Sequence, residues 1–190
     1  ARSDFPQIYA YAKKQGFIIT VFTGAAQLSE KAAHCLEDNP PFLIEITLNA
    51  LNEALYERIS QVKGSYKRVM KNILRLKKAG IRLKIKTQLL KDNIKEFLRI
   101  KKFAAREGFW FSSVCDLYPR LDRDQSVCAL RVPLEAALAH QKKYGPQPSC
   151  IETIPKKASK ADRVFLCAVA TGKNIYLDPY GRVFLCPLVR

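Results

Sequence analysis

The chain alternates short apolar runs with stretches of helical periodicity. Residues 17–22 (FIITVF) form a continuous apolar run of the kind expected for a doubly covered parallel strand. Phe42 to Leu48 (FLIEITL) reads as a second strand. Ile81 to Leu90 alternates, with Ile81, Leu83 and Ile85 on one face, and Phe109 to Val114 reads as a fourth strand. Between them lie predicted helices. Pro6 to Gln15 is stopped by Gly16. A helix capped by Ser29 runs through Cys35 and is broken by Asn39-Pro40-Pro41. Asn52 to Ile59 is short. Tyr66 to Ala79 places Val69, Ile73 and Leu76 at helical spacing before the stop signal Gly80, and a last helix capped by Asn93 runs to Arg106 and ends at Gly108.

Repeated strand–helix units predict an α/β fold with a parallel sheet and right-handed crossovers. Two architectures fit: a doubly wound open sheet, with helices on both faces, and a partial (β/α) barrel, with helices on one. No glycine fingerprint for dinucleotides and no P-loop follows any strand. Polar residues collect instead where strands finish: Thr23, then Thr47 and Asn49, then Thr87 and Gln88, then Cys115 and Asp116. In both architectures ligands bind at that edge, although threonine commonly ends strands for no functional reason.

After Asp116 the pattern changes. Residues 117–122 are a loop, Pro133 to Tyr144 is a helix with proline at its first turn, and residues 145–160 form a connector rich in proline and lysine. A hairpin follows, with β-prone segments 174–177 and 182–185 around the turn Asp178-Pro179-Tyr180-Gly181. Thirteen residues separate Cys167 from Gly181, and four separate Gly181 from Cys186. Thiolate pairs on a hairpin are one way of carrying zinc or an iron–sulfur cluster. Two unrelated buried thiols are the commoner meaning of such a pair.

Composition narrows the choice less than pattern does. The 190 residues carry 33 Lys and Arg against 17 Asp and Glu, a net charge of +16. That imbalance suits a nucleic-acid partner or an acidic peptide. Most of the cations, however, fall on presumed helix faces (Lys67, Arg68, Lys71, Arg75, Lys77, Lys78), where charge usually serves solvation. Six cysteines without a secretory pattern point to a reducing cytoplasm. No apolar run approaches the length of a membrane span. His34 and His140 stand alone, with no nucleophile–base arrangement around them, and receive no role.

The assembled pattern resembles a radical S-adenosylmethionine enzyme with a SPASM-type C-terminal domain. The stretches that carry the resemblance are residues 4–17, the strand ITLNA, Tyr56-Glu57-Arg58-Ile59 through Gly64-Ser65, Gly80-Ile81 through Lys86-Thr87, residues 119–122, and the hairpin. The spacing of Cys167, Gly181 and Cys186 matches the family's opening auxiliary-cluster motif. The resemblance implies that residues 1–130 are the later part of a six-stranded partial barrel, that 131–166 are a helix and connector, and that 167–190 begin a cysteine-bearing auxiliary domain. It implies S-adenosylmethionine as cofactor, contacted by Thr47, Asn49 and Arg58, and Cys167 and Cys186 as ligands to an auxiliary [4Fe-4S] cluster. It also implies a peptide or protein substrate and an electron donor such as ferredoxin or flavodoxin. The three-cysteine CxxxCxxC loop that holds the family's reducing cluster does not occur in the sequence, so the chain is expected to be an internal segment, inactive alone. Asn49 stands where many relatives have Asp or Tyr, and Thr23-Gly24-Ala25 where many read TNG. The rival readings are a basic nucleic-acid-binding module with a zinc site at the hairpin and a catalytically dead barrel fragment.

Overall fold

The computed structural model describes residues 2–120, 122–145, 175–178 and 180–184. Four parallel strands, β1 (Thr20–Thr23), β2 (Leu43–Thr47), β3 (Leu83–Gln88) and β4 (Trp110–Val114), lie in sequence order in one sheet. The helices are α1 (Phe5–Lys14), α2 (Glu30–Asp38), α3 (Glu53–Ser60), α4 (Ser65–Lys78), α5 (Phe97–Glu107) and α6 (Leu134–Tyr144), with 3-10 turns at Ile94–Glu96 and Ser126–Leu130. Sequential order with helical crossovers is what the strand–helix repeat demands. A separate antiparallel pair, β5 (Tyr176–Leu177) and β6 (Val183–Phe184), forms the hairpin.

The two faces of the sheet differ in chemistry. On one, Ile44, Ile46, Leu48, Leu83 and Ile85 are buried in a cluster with Leu36 of α2, Tyr56 of α3, Val69, Ile73 and Leu76 of α4, and Ile100 and Phe103 of α5. Burying each such side chain contributes about 1.5–3 kcal/mol. Phe111 lies on the same face, paired in register with Ile85, and meets Phe97 of α5, against which α6 packs through His140. On the other face the register aligns Phe22, Glu45, Lys84 and Trp110 in one row and Thr47, Lys86 and Ser112 in the next. Glu45 is buried there between two cations, Lys84 Nζ at 2.8 Å and Lys86 Nζ at 3.7 Å. Helices therefore cover one face, as in a barrel and unlike a doubly wound sheet.

Several boundaries differ from expectation for local reasons. β1 begins at Thr20, not residue 17, because pairing with β2 starts at Thr20↔Leu43. Phe17 and Ile18 have no strand partner and are 66% and 83% exposed. Ser29 caps α2 as expected, its hydroxyl accepting from Ala32 N at 3.3 Å. Asn93 does not cap its helix: its side chain accepts from Leu90 N at 2.7 Å, and a 3-10 turn intervenes before α5. In the hairpin the Asp178 carboxylate accepts from the backbone N–H groups of Tyr180 and Arg182 at 2.8 and 3.0 Å, and Gly181 adopts φ +83°, which closes the turn. Among the described residues no helix is long and apolar enough to cross a membrane.

Among the described strands β1 pairs only with β2, leaving one edge bare beside the exposed Ile18 and Phe22. Such an edge templates association. Light scattering of this chain is expected to rise with concentration, and Ile18→Lys to suppress it without moving the thermal midpoint. Concentration-independent scattering of the unmutated chain would contradict this.

Candidate functional site at the carboxyl ends of the strands

The strand ends are tied together by side chains that replace missing ladder bonds. Past Thr47 the chain leaves β2, yet Leu48 N still donates to Lys86 O at 2.9 Å. Thr87 Oγ1, fully buried, donates to Leu48 O at 2.9 Å. Asn49 Oδ1 accepts from Gln88 N at 3.0 Å. Asn93, also fully buried, donates from Nδ2 to Asn49 O at 2.8 Å and to Gln88 O at 2.9 Å. One amide thus holds the ends of β2 and β3 and the loop after β3. The Gln88 side chain extends the tie to Val114 O of β4 at 3.2 Å.

The segment after β2 is fixed from outside. Leu51 N donates to the buried Glu96 at 2.9 Å, and Tyr66 OH donates to Leu51 O at 3.0 Å. Arg99 supplies the second partner of Glu96 at 2.6 Å, so the carboxylate is both paired and hydrogen-bonded. Asn52 Oδ1 then accepts from Leu55 N and starts α3.

After β1, Ala25 is buried and adopts a left-handed φ of +56°, which costs about 1 kcal/mol for a residue with a Cβ. Thr23 Oγ1, accepting from Ala25 N at 3.0 Å, and Asn72 Nδ2, donating to Ala25 O at 2.7 Å, hold it there. This loop forms one wall of an open cavity of about 450 Å³, whose other wall is the α3–α4 junction with Tyr56, Ser60 and Ser65.

Of the residues singled out from sequence, Thr47 and Asn49 sit together at the end of β2. The Thr47 side chain is half-buried on the uncovered face and makes no hydrogen bond among the described residues. Asn49 commits its oxygen to Gln88 and leaves its amide hydrogens without a partner among the described residues. Arg58 is exposed on α3 and lies 3.9 Å from Asp92 in the loop after β3, a surface pair worth little. Cys167 and Cys186 lie outside the described residues. Cys115 is half-buried at the end of β4, and its thiol pKa is pushed up, first by burial and then by Asp116. A raised pKa argues against a reactive thiolate there. Among the described residues no three His, Cys, Asp or Glu side chains gather as a metal site.

Sequence reasoning missed Asn72, Glu96 and the interior role of Asn93. Each acts on backbone far away in the chain, and only the cap-like position of Asn93 left a trace. Replacing Asn93 by Ala leaves Asn49 O, Gln88 O and Leu90 N without their partners. At about 1 kcal/mol or more for each, the loss is about 3 kcal/mol, read as a lower denaturant midpoint. Thr47→Val breaks no described bond and should leave that midpoint unchanged; a shift equal to that of Asn93→Ala would refute the distinction.

The Thr47 hydroxyl and the Asn49 amide hydrogens, unbonded among the described residues, are hydrogen-bonding groups open to a polar ligand at the carboxyl end of β2, whereas the described cysteines do not gather as a metal site. No family model and no curated protein matches the chain. Solved structures do. Streptococcus suis SuiB aligns over 75% of this chain with a TM-score of 0.62 at 14% identity, and the match covers 32% of the SuiB chain. A domain of a pyruvate-formate lyase-activating enzyme from Bacteroides vulgatus ATCC 8482 aligns over 72% of this chain and 81% of its own, with TM-score 0.51 and 17% identity. TYW1 with a lysine-pyruvate adduct bound aligns over 74% of this chain and 44% of its own, with TM-score 0.50 and 18% identity. The chain thus spans about a third of the length of SuiB. The shared architecture is a partial barrel of parallel strands in sequence order.

Proposed function

We propose that the chain is the later part of the barrel of a radical S-adenosylmethionine enzyme that modifies a peptide or protein. The observation that carries this is the sheet itself: parallel strands in sequence order, helices on one face, and a polar opposite face ending in Thr47 and Asn49. Solved structures of the same fold include SuiB bound to S-adenosylmethionine and SuiB bound to precursor peptide SuiA, which supports the cofactor and the substrate class.

In this reading Thr47 and the free amide of Asn49 bind the polar parts of the cofactor. Arg58 reaches the same edge from α3. Asn93 and Glu96 position the strand end and exchange nothing with substrate. Held by Thr47 and Asn49, S-adenosylmethionine would supply hydrogen-abstraction chemistry on one-electron cleavage of its sulfonium carbon–sulfur bond, with methionine as the leaving group. Cys167 and Cys186 are assigned to an auxiliary [4Fe-4S] cluster on the motif spacing, and a small acidic donor such as ferredoxin or flavodoxin supplies electrons in the cytoplasm. Nucleic-acid binding is less favoured, because Arg75, Lys77, Arg99 and Arg106, all on α4 and α5, are each paired with a glutamate.

In the full-length enzyme, reconstituted without oxygen and reduced, 5′-deoxyadenosine is the expected product, and this 190-residue chain alone should give none. Thr47→Val should weaken cofactor binding about fivefold, the effect of one lost hydrogen bond of about 1 kcal/mol. Unchanged affinity would remove Thr47 from the site. Cys167→Ala and Cys186→Ala should each lower iron content while the reducing cluster stays bound; unchanged iron in both would sink the auxiliary-cluster assignment.

A further inference from the structure

α6 is fastened to one apolar cluster by three residues, His140, Tyr144, whose ring lies 4.8 Å from that of Phe97, and Ala137. His140 is its only buried residue. The other large apolar residues of the helix, Leu134 and Leu138, are 72% and 47% exposed. The imidazole meets the Phe97 ring edge-on, with centroids 4.4 Å apart and planes at 83°, and lies 4.8 Å from the Tyr144 ring. Phe97 is itself buried and packs on Phe111 of β4 at 5.6 Å. Leu89 and Val132 complete the cluster.

This cage suits a neutral ring and opposes a charged one. His140 Nε2 has no hydrogen-bond partner among the described residues. Protonation gives the ring a full charge and a second donor, and neither has a counterpart in an apolar setting. The charged and titratable groups around it do not help. From α5, Lys101 sits 5.8 Å above the Phe97 ring, and from α6, Lys143 sits 5.4 Å from the Tyr144 ring. Glu96, next to Phe97, already holds Leu51 N and Arg99. Arg131, beside Val132, donates to Leu117 O, and the thiol of Cys115 packs at the edge of the cluster. Two ammonium groups lie over the neighbouring rings, and among the described residues no carboxylate pairs with His140, the Asp116 carboxylate lying beside Cys115 instead.

We propose that α6 is a pH-operated latch, docked over Phe97 while His140 is neutral and released when the ring takes up a proton. Burial lowers the ring's pKa in the docked state. The released ring has the ordinary value of about 6.5. Docking is therefore at full strength above about pH 6.5 and weakens as pH falls below it, because the released state binds the proton and the docked state resists it. At pH 5.5, one unit below the free value, docking weakens by at most about tenfold, the limit for a docked ring that stays neutral there. Release uncovers Phe97, whose neighbour Glu96 fixes the segment after β2, so the latch connects pH to the frame of the strand-end site.

The test is hydrogen exchange of the α6 amides in the full chain, corrected for intrinsic rates, between pH 7.5 and 5.5. Protection over residues 134–144 is expected to fall, by up to about tenfold, in the unmutated chain and in His34→Gln, which alters the only other histidine and an exposed one. In His140→Phe it should hold across the range, while α4 stays protected throughout. Constant α6 protection in the unmutated chain overturns the proposal, as does an equal fall in His140→Phe. If Phe does not dock even at pH 7.5, the NMR titration of the His140 ring decides: a midpoint below that of His34 supports the latch, and one equal or higher overturns it.

Discussion

The ends of β2 and β3 must be held together beyond the last ladder bond, and one buried amide does it. A sheet splays where pairing stops, because carbonyl and N–H groups there lose partners. Asn93 supplies two donors and one acceptor to three backbone groups on three segments. Only an amide side chain offers that combination without charge. Aspartate is acceptor-only when ionised and would face two carbonyl oxygens; leucine would leave all three groups unmet. The positions of Asn49 and the cavity wall around α3 follow from this tie, since Glu96, three residues on, fixes Leu51 in the same stroke.

The barrel face explains why so few residues are free at the site. Asn49, Thr87 and Gln88 were grouped as strand-end polarity, and all three turn out to bond backbone. Thr47 differs because its direct neighbours in register are Lys86 and, across β3, Ser112. It therefore points away from the helices, where no backbone end comes near.

Much of this fold was legible because its signals are local. Alternation in residues 81–85, the spacing of Val69, Ile73 and Leu76, the Ser29 cap and the Gly80 stop each report on neighbouring residues only. What was not legible depends on distance along the chain. Asn93 looked like a cap because Asn before a helix usually is one. Its partners at Asn49 lie 44 residues away and leave no mark on the sequence around it. His140 had no polar partner to suggest a role; its character comes from Phe97, contributed by another helix. The start of β1 was placed early because apolar content extends to Phe17, whereas pairing with β2 begins only at Thr20.

Glu45 gives the last step of the argument for a barrel. In a doubly wound sheet both faces are packed by helices, and a glutamate at the centre of a strand would sit against apolar side chains. Here it is buried by its own row, between Lys84 and Lys86 on the adjacent strand. Those lysines keep about a third of their side-chain surface, 28% and 38%, in contact with solvent. That exposure is what makes the trio tolerable, because cations that stay partly hydrated escape most of the desolvation cost of burial. One carboxylate between two cations leaves a net positive charge on a face that also carries the hydroxyls of Thr47 and Ser112, the Gln88 amide and the exposed rings of Phe22 and Trp110. A helix laid across that face would strip the water from both lysines without offering a counter-charge. Among the described residues the helices therefore lie on the apolar face, and the charged face of the sheet stays open.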